Sequence, residues 1–129
     1  MVSAYGGFLV AQHAARRMLK QGHGTILITG ASASVKGYAQ SAPFAMGKFA
    51  LRGLAQSMAR ELHPKNIHIA HFVIDGGVAN PERDRMNTSA EPDKWLEPDA
   101  IAHTYMAVLN QPRSAWSWEI EVRPWVERF

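Results

Sequence analysis

The sequence predicts an α/β fold, in which a small parallel sheet of about three strands is flanked by helices. Stretches with apolar residues at helical spacing alternate along the chain with short, mostly apolar stretches at residues 25–29 and 67–74. This alternation is typical of parallel strands joined by helical crossovers. The short stretches contain few polar residues, as strands buried on both faces do.

The first helix and strand are separated by glycines. Apolar residues recur near a 3.6-residue period over residues 4–21, which predicts a helix, and Gly22 and Gly24 follow it as a typical stop. The strand at residues 25–29 leads into residues 30–42, which are rich in Gly, Ala and Ser and are expected to form a loop. Pro43 suits the first turn of a second helix, with Ser41 or Ala42 as its N-cap.

The second helix carries a cation in an unexpected place. On a helical wheel, one narrow face contains six residues: Phe44, Lys48, Leu51, Ala55, Met58 and Leu62. Lysine is almost never fully buried without a partner. The position of Lys48 near the centre of an apolar stripe therefore indicates a special role for its ammonium group.

The remaining elements follow the same order. The second helix is expected to end at residues 63–66, and residues 67–74 form the second strand, which the turn at residues 75–77 ends. The loop at residues 79–94 is long enough to be functional. A third helix is predicted from Pro98 to about Asn110, and a last strand at about residues 118–122. We expect residues 1–129 to form one domain.

Composition excludes several classes of protein. The 129 residues are 47% hydrophobic and 19% charged, which is typical of a globular domain, and the lack of cysteine rules out disulfides and thiolate metal sites. No apolar run is long enough to span a membrane. Residues 1–60 contain no acid, but their cations are scattered and no nucleic-acid motif accompanies them. We therefore expect neither a membrane nor a nucleic-acid partner, no metal site, and a cytoplasmic location.

Six segments carry a resemblance to a known family: GFLV at 7–10, RRML at 16–19, GTILI at 24–28, Lys48, AREL at 59–62 and IHI at 67–69. In this order and spacing they resemble the C-terminal half of short-chain dehydrogenases/reductases. The resemblance implies a partial Rossmann-type, doubly wound parallel sheet. It also implies an NAD or NADP cofactor across the carboxyl strand ends, a small carbonyl or alcohol substrate, and assembly into a homo-oligomer.

The family uses a tyrosine and a lysine four residues apart on one helix, and a serine thirteen residues before the tyrosine. Residues four apart share a helix face, so the ammonium lowers the pKa of the phenol and allows it to exchange a proton with substrate. Carried over, the lysine is Lys48, the tyrosine position is Phe44 and the serine position is Ala31. The family's helix asparagine falls on Ser3. A phenyl ring donates no proton, so we expect catalysis to be impaired.

Nearby residues offer partial replacements. Ser32 and Ser34 flank the serine position, and Tyr38 lies in the same loop as a candidate acid, although a surface tyrosine is the simpler and preferred interpretation. The family's turn against the nicotinamide resembles residues 75–80, where Asp75 and Gly76 stand for proline and glycine and Asn80 for threonine. These three residues are candidate cofactor contacts.

The family's glycine-rich phosphate loop has no counterpart in this chain. We therefore expect a C-terminal half that lacks the cofactor-binding N-terminal half and leaves the strand at residues 25–29 with an open, apolar edge. Two functions fit: an NAD(P)-dependent oxidoreductase that is impaired or inactive as this chain, or a non-catalytic relative that serves as an interaction or dimerisation module.

Overall fold

The fold is known from a computed structural model, which describes the backbone of residues 2–129 and the side chains of residues 4–129. Three helices and three strands follow one another as α1 (Val2–Gln21), β1 (Gly24–Ala31), α2 (Ala42–Leu62), β2 (Ile67–Ile74), α3 (Pro98–Leu109) and β3 (Glu119–Val122). Each predicted helix and strand is confirmed, with bounds that differ by at most two residues. The N-cap of α2 is Ser41, as expected.

The strands form one parallel sheet in the order β1-β2-β3, which confirms the predicted fold class. Strand β1 pairs with β2 along its whole length, from Gly24 opposite Ile67 to Ala31 opposite Ile74. Strand β3 pairs with the second half of β2. Because β2 lies between two strands and two helical layers, all eight of its residues are buried.

The helices cover both faces of the sheet, as in a doubly wound fold. Alternate residues of β2 point to opposite faces. Ile67 and Ile69 pack with Ala15 of α1 and with α2, whereas Phe72 and Ile74 pack on the side of α3. Within residues 2–129, no helix is both long and apolar enough to cross a membrane.

Strand β1 is an edge strand among the described residues. Its apolar residues Ile26, Leu27 and Ile28 are only half-buried, although the same kinds of residue in β2 are fully buried. The outer edge of β1 thus has the open, apolar character expected from the sequence.

The structure corrects the predicted buried face of α2. Six residues of this helix are buried: Ala45, Gly47, Leu51, Ala55, Ala59 and Leu62. Phe44, which the helical wheel placed in the apolar stripe, is 55% exposed. Phe44 and Lys48 lie in the first two turns of α2, beside the carboxyl ends of the strands, and Lys48 is half-buried. The position of Lys48 therefore lies at the end of the core and not in its middle.

Candidate active site

The candidate site residues meet at one edge of the sheet. Because the strands are parallel, β1 ends at Ala31, β2 ends just before Asp75 and β3 ends just before Arg123, all at the same edge. Helix α2 begins at this edge with Phe44 in its first turn. Ligands of open α/β sheets bind outside the carboxyl ends of the strands, so the fold brings the predicted positions together.

Lys48 lies half-buried on α2, one turn after Phe44. Its Nζ lies 5.7 Å from the centre of the Phe44 ring, a cation–π distance. Among the described residues, no carboxylate forms an ion pair with this ammonium group. Lys48 is thus a partly desolvated cation with an aromatic neighbour and an unfilled capacity for hydrogen bonds.

Ala31 is half-buried at the end of β1, and its backbone N–H donates to the Oγ of Ser34 at 3.0 Å. Ser34 is fully buried, so its hydroxyl belongs to the core under the loop. Tyr38 is 49% exposed farther along the same loop. The side chain of Ser3, at the asparagine position of the family, lies outside the described side chains.

Asp75 ties the three strand ends together. Its carboxylate is almost fully buried and accepts a hydrogen bond from the Nε of Arg123 at 3.1 Å, while the Nζ of Lys36 lies 3.7 Å away. Lys36 follows β1 and Arg123 follows β3. A buried carboxylate needs such partners, so its charge is already engaged by the protein. In the same turn, the backbone N–H of Asp75 donates to Val122 and the carbonyl of Gly77 accepts from Leu96.

Gly76 continues this turn in a backbone conformation with a φ of 145°. A side chain is strained at such an angle. An added Cβ would also come within 3.0 Å of the Pro124 ring, so the C-terminal segment packs directly on the glycine. The turn at residues 75–77 therefore allows a neighbouring group to approach its backbone closely.

Asn80 holds the start of the loop at residues 79–94. Its Oδ1 accepts the backbone N–H of Glu82 at 3.0 Å, and its backbone pairs with that of Arg85. The side-chain oxygen thus caps a local turn, which leaves the amide NH₂ as the group able to reach a ligand. The family resemblance placed Asn80 near the site, but it did not predict the role of this residue in the turn.

Two tryptophans, Trp95 and Trp125, contact residues of the same loop. Trp95 stacks against Arg85, whose guanidinium lies 5.3 Å from the ring centre, and its backbone bonds to both ends of the Asn87 amide. The indole N–H of Trp125 donates to Asp93 at 3.2 Å. The loop is thus attached to the C-terminal segment beside the carboxyl edge.

A partly buried polar network joins α2, β2 and β3, and no local sequence pattern predicts it. Arg52 of α2 makes two hydrogen bonds to Glu119 of β3, at 2.6 and 3.0 Å. The other partner of Glu119 is His71, whose Nδ1 lies 3.1 Å from the same carboxylate. The two contacting pairs are separated by 67 and 48 positions in the chain, so no local pattern could have joined them.

The network changes the pKa values of two of its members. The hydrogen bond from Arg52, with help from His71, lowers the pKa of Glu119. Burial lowers the pKa of His71 more strongly than the carboxylate raises it. Both shifts favour an ionised Glu119 and a neutral His71 at neutral pH.

A second buried histidine lies on the same strand. His68 stacks on Trp116 at 4.5 Å, and its Nε2 lies 2.7 Å from the backbone oxygen of Ser117. Desolvation also lowers its pKa. Within the part of the chain that the structure describes, no three metal-binding side chains lie together.

These pKa shifts predict how stability depends on pH. A histidine whose folded pKa is depressed takes up its proton more readily when unfolded, so the free energy of unfolding should fall as the pH drops below about 6.5. The depressed pKa of Glu119 adds a further loss at more acidic pH, when that carboxylate is protonated. Urea unfolding between pH 8 and 4 measures this slope. The exposed-residue variant His13→Gln should leave it unchanged, and equal stability at pH 7.5 and 5 would contradict the prediction.

Comparison with known proteins agrees with this architecture. The model of the family described as short chain dehydrogenase matches residues 1–90. Short chain aldehyde dehydrogenase 1 of Euphorbia lathyris is 31% identical over 108 residues, which cover 84% of this chain and 36% of that protein. A short-chain dehydrogenase/reductase of Armillaria gallica is 35% identical over 88 residues, or 67% of this chain and 33% of that protein.

Solved structures give the same match over a longer span. A short-chain dehydrogenase from Rhodopseudomonas palustris is 42% identical and superposes with a TM-score of 0.75, covering 94% of this chain and 48% of that one. An acetoin dehydrogenase from Salmonella typhimurium is 27% identical, with a TM-score of 0.79 and coverage of 94% and 50%. The chain therefore spans about a third of the curated relatives and about half of the solved ones.

Proposed function

The chain belongs to the short-chain dehydrogenase family, and we propose that it provides the catalytic-helix half of an NAD(P)-dependent oxidoreductase for a small carbonyl or alcohol. Lys48 carries this proposal. It is the residue that the family resemblance assigns to the cofactor ribose, and it is a half-buried cation with no acidic partner among the described residues. A ribose hydroxyl would supply the hydrogen bonds that this ammonium group lacks.

Two groups at the same edge of the sheet as Lys48 could contact a nicotinamide cofactor. The cofactor, when bound, supplies or accepts the hydride. The backbone of Gly76 and the free amide of Asn80 are the groups of this chain that could orient the nicotinamide, because the Asp75 carboxylate is already paired with Arg123 and Lys36. Under this proposal, Gly76 and Asn80 orient the cofactor and Lys48 supplies a positive charge at this edge of the sheet.

Proton transfer is where the proposed activity is weakest. Phe44 has no ionisable hydrogen and Ala31 has no hydroxyl, so neither position can exchange a proton with a substrate oxygen. Tyr38, an exposed residue of the loop after β1, is the candidate replacement acid. We infer that turnover is much slower than in a relative with tyrosine and serine at these positions.

A non-catalytic role is the second candidate, and exposed apolar side chains favour it. Seven lie on α1 and α2 with 41–71% of their surface accessible: Tyr5, Phe8, Val10, Leu19, Phe44, Met46 and Phe49. Contiguous apolar surface usually marks an interface. Self-association through these helices, which the family resemblance also implies, would fit either function. The absence of cysteine fits a reducing compartment such as the cytoplasm.

Cofactor titration tests the proposal directly. We expect NADPH or NADH to quench the tryptophan fluorescence of the folded chain with saturation in the micromolar range, because Trp95 lies against Gly77 in the proposed nicotinamide turn. Replacing the ammonium by an apolar group of similar length, Lys48→Met, should weaken the affinity about tenfold, which corresponds to about 1.4 kcal/mol.

The matched control is Lys65→Met, which removes an exposed lysine that precedes β2 at the opposite edge of the sheet. This variant should bind cofactor like the parent chain. If the folded parent chain shows no saturable quenching, or if both lysine variants bind equally well, the proposed role of Lys48 is wrong and the non-catalytic function is favoured.

A further inference from the structure

His71 is a fully buried titratable residue that the proposed function does not use. It lies in the middle of β2, on the face covered by α2. Its Nδ1 lies 3.1 Å from Glu119, but its Nε2 has no hydrogen-bond partner, the one such buried side-chain atom found among the described residues. A buried polar atom without a partner is costly, which calls for an explanation.

The hydroxyl of Ser34 lies on the same side of Gly30 as this atom. A Cβ added to Gly30 would collide with both the Nε2 of His71 and the Oγ of Ser34. The absence of a side chain at Gly30 is therefore what allows the two groups to approach. Ser34 is itself fully buried, and its Oγ already accepts the backbone N–H of Ala31.

The hydrogen-bonding roles of the two groups are complementary. Glu119 is held as a carboxylate by two hydrogen bonds from Arg52, so it accepts the proton on Nδ1 of His71. The neutral imidazole then carries a lone pair on Nε2. The Ser34 hydroxyl uses its oxygen to accept from Ala31 and retains its own proton to donate.

We propose that His71 is a positioning residue. Its Nε2 has no partner in the structure, and a small movement of the Ser34 side chain would let this atom accept the hydroxyl proton and fix the backbone of Ala31. A chain of hydrogen bonds would then run from Arg52 through Glu119, His71 and Ser34 to the end of β1. Its last member, Ala31, is the position that faces substrate under the proposed function. The inference about the hydrogen bond stands on the buried groups alone, and only its relevance to catalysis rests on that function.

The charged groups around His71 support a neutral ring. Glu119 faces it from β3, whereas Arg52 and Lys48 face it from α2 and disfavour a positive charge on it. The adjoining part of β1 contributes Gly30, which has no charge. If the ring were protonated, Nε2 would carry a hydrogen and could no longer accept the Ser34 hydroxyl proton. The proposed hydrogen bond therefore requires the neutral form.

Nuclear magnetic resonance of the whole chain tests the hydrogen bond without any ligand. At pH 7.5, long-range ¹H–¹⁵N spectra should show His71 as the Nδ1–H tautomer, with an Nε2 resonance shifted upfield by an accepted hydrogen bond. Ser34→Ala should move this resonance towards the value of a free imidazole nitrogen. An Nε2 resonance that is the same in both proteins, or an Nε2–H tautomer, would overturn the proposal.

Amide exchange tests the positioning role. Ser34→Ala and His71→Asn should both speed the exchange of the Ala31 N–H about tenfold, because the asparagine amide reaches only as far as Nδ1 and keeps the Glu119 contact alone. His71→Gln, which reaches the Nε2 position, should restore most of the protection. Ser32→Ala is the matched control and should leave Ala31 unchanged.

The outcomes separate this inference from the proposed function. Exchange at Ala31 that does not respond to Ser34→Ala refutes the positioning role, even if His71→Asn fails to fold. Loss of NADPH binding in the parent chain refutes the proposed function and leaves the exchange result intact.

Discussion

Replacing Glu119 by alanine is expected to lower the free energy of unfolding by about 3 kcal/mol. The carboxylate is the common partner of Arg52 and His71. Without it, the Nδ1–H of the fully buried imidazole loses its acceptor. Arg52 is about one-third exposed and can be rehydrated in part, so the expected loss stays near the lower end for a broken buried ion pair.

Glu121→Ala is the matched control, because this glutamate lies two residues away on the same strand and pairs with Arg123 at the surface. Exposed ion pairs contribute about 0.5 kcal/mol. Urea unfolding of both variants at pH 7.5 measures the difference. Equal losses would mean that the Glu119 network contributes no more than a surface pair, and the proposed orientation of His71 would lose its main support.

Gly30→Ala should cost about as much, roughly 3 kcal/mol, by overpacking the core. The added methyl group would overlap His71 and Ser34, which are both fully buried and cannot move away from it. The variant also separates the two groups that we propose to be hydrogen-bonded. Its effect should therefore include a faster exchange of the Ala31 N–H.

Gly53→Ala provides a control of opposite sign. An added Cβ at this exposed position of α2 meets no atom within 4 Å. Alanine is the better helix former, so the variant should gain about 0.5–1 kcal/mol. Thermal and urea unfolding of the two alanine variants measure both effects, and a Gly30→Ala protein as stable as the parent would show that the core around His71 is loosely packed.

The fold was largely predictable from local patterns in the sequence. The bounds of β2 were obtained from one apolar run, and the start of α2 from Ser41 and Pro43, because strands and helix ends are determined by neighbouring residues. The buried side of α2 was predicted less well. A helical wheel shows which residues share a face, but the exposure of Phe44 depends on how far the sheet extends beneath that face.

The site was predictable only as a set of positions. The resemblance located Lys48, Phe44 and Ala31 at the carboxyl edge, and the fold places them there. It could not show that the Asp75 carboxylate is taken up by Arg123, 48 residues later, because ion pairs between distant segments leave no periodic signal. The His71–Glu119 contact could not be predicted from the sequence for the same reason.

The parallel pairing of the strands also bears on how the chain folds. Within residues 2–129, neighbouring strands are joined through α2 or α3 and never by a hairpin. Every contact in the sheet therefore requires closure of a long loop, which is slow compared with helix formation. Until the sheet has formed, the apolar strand β2 is accessible to other chains, so refolding at low protein concentration should favour the native state.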